Sequence, residues 1–222
     1  MISRSDGLPK LIIFDCDGVL VDTEPVANRV LQRAIASLGH EMAIEEIMER
    51  FIGRSMASII KDIAVLTGKD VPESWIDKIR RDTITAFEQE KIEAIPYVRE
   101  AIEALHELSV KTCVASSGIP VKMDITLGMA GLKHLFEGRI YSAIMVENGK
   151  PAPDLFLYAA QQFDIVPDAC VVIEDSRPGV EAARAAGMRC LGFSVRGQEE
   201  SLTEAGAEVF SEMRQLCGLL GL

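Results

Sequence analysis

The sequence carries many charges but no cluster of lysine and arginine residues. Of its 222 residues, 23 are Lys or Arg and 34 are Asp or Glu, so the formal net charge is −11 at pH 7. Such an excess repels polyanions, and we expect no nucleic-acid partner and no anionic membrane surface as a partner. A small anionic ligand stays possible, because a metal ion or one or two local cations can outweigh a distant negative field.

Long apolar runs and paired cysteines are missing as well. No apolar stretch approaches the ~20 residues of a membrane-spanning helix, and the polar segment 1–10 leads directly into a predicted strand, which predicts no signal peptide. The five cysteines are odd in number and show no Cys-x-x-Cys spacing. We therefore expect reduced thiols in a cytoplasmic protein. The sequence leaves the oligomeric state open, a monomer included.

The rest of the composition suits a folded α/β domain. Hydrophobic residues make up 48% of the chain, enough for a sizeable core. Short β-like runs alternate with segments that carry apolar residues at helical spacing, which predicts an α/β fold with a Rossmann-like parallel sheet core. The predicted strands are 11–14, 112–115, 139–142, 170–173 and 190–193. The helices predicted between and beside them are 101–108, 121–129, 154–163 and 179–186.

One interval is too long for this pattern. A βαβ unit needs only ~30 residues, whereas the first two predicted strands, 11–14 and 112–115, lie much further apart. The apolar residues between them recur at helical spacing, which predicts an inserted helical subdomain. We therefore predict a core formed by 1–21 and 95–222 and a small inserted α-helical domain formed by 22–94.

Two aspartates follow the first predicted strand. The apolar run 11–14 leads into Asp15 and Asp17, with Gly18 behind them. Residues two apart on an extended chain point to the same side, so both carboxylates lie where a buried strand opens into a loop. Like charges this close repel and need a cation, a shared proton or both. The pair suits one carboxylate that attacks and one that carries protons, although Asp and Gly are also ordinary turn residues.

Polar residues also follow two other predicted strands. Ser116 and Ser117 come after strand 112–115 and before a helix, where hydroxyl and N–H groups can hold a phosphate or simply cap the helix. Glu174 and Asp175 end strand 170–173, where two acids can bind a metal or form a turn.

Lys150 lies in a loop just before a helix. Its neighbours Gly149 and Pro151 fix the backbone, which an ordinary solvated lysine does not need. In open α/β sheets, ligands bind outside the carboxyl ends of the strands. Two acids, a hydroxyl cradle, a fixed lysine and two more acids at those ends match a magnesium ion and a phosphoryl group.

Taken in chain order, these motifs resemble the four motifs of the haloacid dehalogenase (HAD) superfamily. The insertion is similar to the small cap of its β-phosphoglucomutase-like branch, and the resemblance extends over essentially the whole chain. The residues that carry it are Asp15, Asp17, Gly18, Leu20 and Asp22, then Ser116, then Lys150 and Pro151, then Glu174 and Asp175.

The resemblance implies Mg²⁺-dependent phosphoryl transfer. Asp15 would attack phosphorus and become an aspartyl phosphate. Asp17 would protonate the leaving alcohol and later take a proton from the hydrolytic water. Ser116, with Ser117, would hold the phosphoryl oxygens, and Lys150 would neutralise charge on the nucleophile and the phosphate.

The resemblance also implies the metal ligands. Mg²⁺ would be bound by Asp15, Asp175 and the carbonyl of Asp17, with Glu174 in support. The ion would screen the repulsion between a carboxylate nucleophile and a dianionic substrate. Catalysis is then largely a matter of positioning and electrostatics.

The predicted cap offers two candidates for substrate contact. Glu24, at the hinge, could meet a sugar hydroxyl or cap its helix. Arg54 could meet a second anionic group or lie on the surface. We expect the cap to select the leaving group. The chain resembles the sugar-phosphate and phosphogluconate phosphatases of this branch, which implies a small phosphorylated metabolite as the substrate.

Two alternatives compete with a phosphatase. A β-phosphoglucomutase of this branch uses a cap histidine and a cap arginine, but this sequence has Ala27 and Met56 at those places. A receiver-type phosphoacceptor module shares the parallel sheet, Mg²⁺, an acceptor aspartate and a lysine. It is about half this length, however, and its acceptor and paired acids lie on different strands, whereas Asp15 and Asp17 follow one strand.

Overall fold

The structure is a computed structural model that describes residues 8–51, 56–195 and 197–222. In it the chain divides into two units. The core unit consists of Met1–Asp22 and Glu93–Leu222, and the helical insertion consists of Thr23–Ile92.

A parallel sheet forms the centre of the core unit. Among the described residues it has six strands in the order β3-β2-β1-β4-β5-β6. The strands are β1 Leu11–Phe14, β2 Lys111–Ser116, β3 Ile140–Ser142, β4 Cys170–Glu174, β5 Arg189–Phe193 and β6 Glu208–Phe210. All four residues of β1 are fully buried, which explains why its sequence is a continuous apolar run and not an alternating one. The predicted α/β fold class is confirmed.

Helices connect the strands of the core unit, and one more helix follows the last strand. The connecting helices are α5 Val98–Glu107, α6 Pro120–Met129, α7 Asp154–Gln161, α8 Arg177–Ala185 and α9 Glu199–Ala205, and the helix after the last strand is α10 Leu216–Leu220. α7 and α8 present apolar side chains to a core cluster under one face of the sheet, among them Phe156 and Val180. Burial of these faces holds each helix on the sheet, because the hydrophobic effect scales with the apolar area removed from water.

The helical insertion contains four helices in its described part. They are α1 Glu24–Ser37, α2 Ile44–Phe51, α3 Met56–Thr67 and α4 Glu73–Gln89. α1 and α4 bury Val30, Ile35, Trp75 and Phe87. The Trp75 indole N–H donates to the carbonyl of Ala34 at 3.2 Å, which satisfies the one polar group that the buried ring carries.

The chain order of the strands places a switch point at the centre of the sheet. From β1 the chain runs outward through β2 and β3, then crosses to the other side of β1 and continues through β4, β5 and β6. Ligands of open α/β sheets bind at the carboxyl ends of the strands where the direction of winding reverses. Here that point lies between β1 and β4.

The structure also shows one strand that the sequence analysis did not predict, and it gives the state of the cysteines and the character of the helices. Strand β6 was missed, because three residues at a sheet edge give too short a pattern to recognise. All five cysteines are free thiols, and four of them are buried. No helix in the described ranges is long and apolar enough to cross a membrane.

Candidate active site

Two acidic segments meet at the switch point. Asp15 follows β1 and Asp175 follows β4, and the Asp15 N–H donates to the carbonyl of Ile173 at 2.9 Å, which continues the β1–β4 pairing into the loop. Residues that lie far apart in the sequence are thus held together at the carboxyl ends of β1 and β4 by backbone hydrogen bonds.

Lys150 lies between the carboxyl ends of three strands. Its side chain is 4% exposed, and its Nζ donates to Asp15 Oδ1 at 2.6 Å and to Glu174 Oε1 at 2.5 Å. It also donates to the carbonyl of Ala115 at 3.1 Å, at the end of β2. Burial alone would lower the pKa of Lys150, but the charges and hydrogen bonds of Asp15 and Glu174 outweigh it and raise the pKa. The lysine is therefore a permanent cation that links three strands.

Burial makes the charged form of the Asp15 carboxyl less favourable. Burial raises its pKa to about 7, Lys150 acts against the rise, and the negative charges of Glu174 and Asp17 add to it. A carboxylate that is this weakly stabilised by its surroundings is expensive to ionise without a further cation. It is correspondingly a better nucleophile towards an electrophile that brings a cation with it.

Glu174 is committed to contacts within the protein. While Oε1 accepts from Lys150, Oε2 accepts from the N–H and the hydroxyl of Ser176, each at 2.9 Å. Its carboxylate packs against the backbone of Gly179, where an added Cβ would lie 1.9 Å from Glu174 Cδ. In this structure Glu174 therefore holds Lys150 and the start of α8.

Asp175 reaches across to the loop after β1. An added Cβ on Gly18 would lie 2.0 Å from Asp175 Oδ2, so only glycine permits this approach. Gly18 has a φ of +76°, a conformation that also favours glycine. The acidic pair at the end of β4 and the acidic pair after β1 thus lie close together.

The predicted hydroxyl cradle begins at Ser116, the last residue of β2. Ser116 is buried, and its Oγ accepts from the N–H of Gly118 at 3.2 Å, whereas Ser117 is exposed. The Gly118 carbonyl accepts from the Ser142 hydroxyl at 2.6 Å, which ties this loop to the end of β3. The cradle is therefore fixed from two neighbouring strands.

Asp17 has a partner that the sequence analysis missed. Lys122 Nζ donates to Asp17 Oδ2 at 2.7 Å, and each side chain is about a quarter exposed, at 25% and 26%. Burial would lower the pKa of Lys122, but the charge and hydrogen bond of Asp17 raise it overall. A single lysine on a predicted helix looks like a solvated residue. The signal that could have singled it out is its place in the first turn of α6, where the helix dipole disfavours a cation.

Cys16, between the two aspartates, is a packing residue. It is fully buried, and burial together with the charges of Asp17 and Asp15 raises its pKa well above the ordinary value. A thiol in this state is not a nucleophile.

The oxygen atoms at the switch point are of the type that binds magnesium. Among the described residues, no three His, Cys, Asp or Glu side chains form a group that could hold a metal ion as they stand. Asp15 and Asp17 are instead paired with Lys150 and Lys122. The groups that converge on the switch point, Asp175 included, are nevertheless hard oxygen donors, which is the ligand type that Mg²⁺ prefers.

The two cap candidates belong to the helical insertion. Glu24 is the first residue of α1, where a negative charge interacts favourably with the helix dipole. Arg54 lies outside the residues that the structure describes.

A family model described as haloacid dehalogenase-like hydrolase matches residues 12–193, which is most of the chain. This chain belongs to the haloacid dehalogenase-like hydrolase family. The resemblance drawn from the four motifs is confirmed, and with it the prediction of an enzyme of the HAD hydrolase type. The assignment leaves no support for the receiver-type alternative.

Two of the curated relatives are matched over nearly their whole length. It is 30% identical over 94% of its length to the phosphorylated carbohydrates phosphatase of Thermotoga maritima, of which it covers 97%. It is 25% identical over 92% of its length to the 6-phosphogluconate phosphatase of Escherichia coli, of which it covers 91%. It is also 32% identical, over 93% of its length, to the Arabidopsis thaliana protein SUPPRESSOR OF QUENCHING 1, chloroplastic, but it covers only 20% of that protein.

A solved HAD structure is similar over nearly the whole chain. The HAD family hydrolase of Deinococcus radiodurans is 31% identical, with a TM-score of 0.82, and covers 97% of this chain and 96% of its own. That structure contains bound phosphate and sodium.

Proposed function

We propose that this chain is a Mg²⁺-dependent phosphatase that hydrolyses a small phosphorylated metabolite through an aspartyl phosphate. The observation that carries the proposal is the buried Asp15 carboxylate, with Lys150 Nζ 2.6 Å from its Oδ1, at the switch point of the sheet. A buried anion of raised pKa beside a fixed cation suits nucleophilic attack on a phosphate ester.

In the first half-reaction, an Asp15 oxygen attacks phosphorus and the bond from phosphorus to the ester oxygen breaks. Asp17 donates a proton to the leaving oxygen, so that an alcohol departs. Lys150 and the cradle of Ser116 and Gly118 offset the charge on the phosphoryl oxygens, which is the electrostatic stabilisation that dominates phosphoryl transfer.

In the second half-reaction, Asp17 takes a proton from water. The water oxygen attacks phosphorus, the bond to Asp15 breaks, and inorganic phosphate leaves. One residue serves as acid and then as base, so no further titrating group is required.

Magnesium would be held by Asp15, Asp175 and the Asp17 carbonyl. When bound, the ion supplies positive charge that offsets the repulsion between the nucleophile and the substrate. The hard oxygen donors and the close approach of Asp175 to Gly18 support this assignment. Glu174 takes a supporting place, because its oxygens accept from Lys150 and Ser176.

For the substrate we propose a sugar phosphate or a phosphogluconate-like compound. The support comes from two relatives that this chain covers almost completely, which are named as phosphatases of phosphorylated carbohydrates and of 6-phosphogluconate. Glu24 and Arg54 are proposed to act in substrate selection.

The intermediate can be trapped directly. Purified protein with Mg²⁺ is screened against phosphorylated metabolites, and the best substrate, labelled in its phosphate, is quenched in acid within one turnover. We expect label on the protein, released by hydroxylamine and located at Asp15. Rapid turnover with no labelled protein would contradict the covalent mechanism.

The same preparation separates a phosphatase from a mutase. It is incubated with β-glucose 1-phosphate and a trace of the 1,6-bisphosphate. Because Ala27 and Met56 can neither donate nor accept a proton, we expect release of inorganic phosphate. Glucose 6-phosphate formed faster than inorganic phosphate would favour a β-phosphoglucomutase-type enzyme.

A further inference from the structure

Lys122 joins the acid–base residue to the phosphate cradle. Its Nζ lies 2.7 Å from Asp17 Oδ2. Its stem passes beside the cradle, because the point where Gly118 would carry a Cβ lies 3.7 Å from Lys122 Cδ and 3.6 Å from Ser116 Oγ. The side chain therefore spans from the loop after β2 to the loop after β1.

The position of Lys122 in its helix is unfavourable for the helix itself. α6 begins at Pro120, so Lys122 lies in the first turn, where a positive charge opposes the helix dipole. The cost is offset here by the ion pair with Asp17. A lysine that served only the helix would be better placed in the last turn.

A second contact fixes α6 against the same loop. Thr126, one turn after Lys122 and fully buried, donates to the Lys122 carbonyl at 3.1 Å and contacts Cys16. The helix thus meets the segment between Asp15 and Asp17 through two side chains. These two contacts hold the first turns of α6 against the loop after β1, and the Lys122 ammonium group lies beside Asp17.

We propose that Lys122 is the positioning residue for Asp17, holding its carboxylate at the place from which it exchanges protons with the leaving group and with water. The proposal rests on the proposed function, in which Asp17 is the acid and base. Without the lysine, the charge of Asp15 pushes the Asp17 carboxylate away from the nucleophile. A displacement of about 1 Å at a reacting group can cost about 10²-fold in rate.

The experiment uses Lys122→Met, which keeps the stem and removes the charge. With 6-phosphogluconate and Mg²⁺ we expect kcat to fall about 10²-fold with little change in KM. With 4-nitrophenyl phosphate we expect the burst of nitrophenol, which reports the first half-reaction, to keep its rate, because this leaving group departs as a stable anion. The chain offers a matched control in Lys133→Met, since Lys133 pairs with Asp124 of the same helix at 3.1 Å but is half exposed.

Two further variants separate positioning from general damage. Lys122→Met added to Asp17→Asn should cause no further loss, because the lysine acts only through that carboxylate. Lys122→Arg keeps the charge and should recover much of the rate lost in Lys122→Met. Thermal unfolding checks that each variant is folded, and the arginine variant carries the test if the methionine variant is not.

The outcomes are distinct. Additive losses in the double variant, equal loss of the nitrophenol burst, or an arginine variant no better than the methionine variant would each overturn the role of Lys122. An active wild type with Lys122→Met equal to Lys133→Met overturns this proposal alone. A wild type that never phosphorylates Asp15 overturns the proposed function, and this proposal with it.

Discussion

The active site of the core unit and the exposed face of α4 in the helical insertion use their charged residues differently. At the active edge of the core unit, Lys150 and Lys122 pair with aspartates that are 135 and 105 positions away in the sequence. In the insertion, Lys78 pairs with Asp82 four residues along α4, and both side chains are about half exposed, at 61% and 45%. The first kind of pair requires the tertiary fold, whereas the second requires only a helix.

The difference follows from where each unit obtains its stability. The insertion is held by the apolar faces of α1 and α4, with the buried Trp75 and Phe87 among them. Its exposed ion pairs add about 0.3–0.5 kcal/mol each. At the active edge, buried charges must be compensated by one another, because an unpaired buried charge is costly. Charge substitutions should therefore be tolerated on the exposed face of α4 and be damaging in the active site.

The largest expected effect is on catalysis. Asp15→Asn should abolish turnover, because the amide oxygen is a poor nucleophile and no other nucleophile is placed at the end of β1. The measurement is phosphate release with Mg²⁺ and the best substrate of the screen, beside Lys78→Met as a control in the insertion. If Asp15→Asn releases phosphate about as fast as the control, Asp15 is not the nucleophile.

Lys150→Met should lower the stability of the protein far more than Lys78→Met does. It leaves Asp15 and Glu174 without their shared cation in a buried site, and we expect a loss of about 3–5 kcal/mol in unfolding free energy. Lys78→Met should change it by less than about 0.5 kcal/mol. Urea unfolding with a chelator present measures both. Similar losses of unfolding free energy in the two variants would mean that Lys150 does not compensate buried charge in the active site.

The pH dependence of stability should identify Asp15 in the metal-free protein. Its pKa is raised by burial to about 7, so below that pH the fold retains a proton that the unfolded chain has released. Stability from this group is present at low pH and is lost as pH rises through about 7.

Asp15→Asn removes this dependence. The difference in unfolding free energy between the variant and the wild type should grow in favour of the variant from about pH 4 to about pH 7 and stay constant above. Added Mg²⁺ should stabilise the wild type more than the variant. A pH-independent difference would show that the charge of Asp15 costs nothing in the fold.

The smallest expected effect comes from a single methyl group at the edge. In Gly179→Ala the new Cβ would lie 1.9 Å from Glu174 Cδ, so the carboxylate must move, at a cost of about 1–3 kcal/mol. Gly128→Ala in α6 is the matched control, because its Cβ meets nothing within 4 Å. Alanine there should stabilise by about 0.5–1 kcal/mol. Equal effects would mean that Glu174 is not constrained by Gly179.

The strands of the core unit and the helices of the insertion could be predicted from different patterns. The strands were recognised because a parallel sheet is buried on both faces and leaves continuous apolar runs. The helices of the insertion were recognised from their apolar faces at helical spacing. Strand β6 was missed because an edge strand of three residues carries no such run.

The site was predicted unevenly for a related reason. Asp15 and Asp17 stand out because their spacing is local. Ser116, Lys150, Glu174 and Asp175 were noticed at strand ends and in a rigid loop, and the HAD resemblance then implied their roles. Lys122 was missed because its meaning depends on a contact between a helix and a loop that are far apart in the sequence.

The sequence by itself determined the family, the parallel α/β fold and the order of the acidic, hydroxyl and lysine motifs. These are encoded locally, in apolar periodicity and in residue types that follow strands. Only the tertiary structure decided which charge compensates which: Lys150 between Asp15 and Glu174, and Lys122 on Asp17. The reason is physical, since a buried charge is stabilised by whatever the fold brings within hydrogen-bond distance, at any separation along the chain.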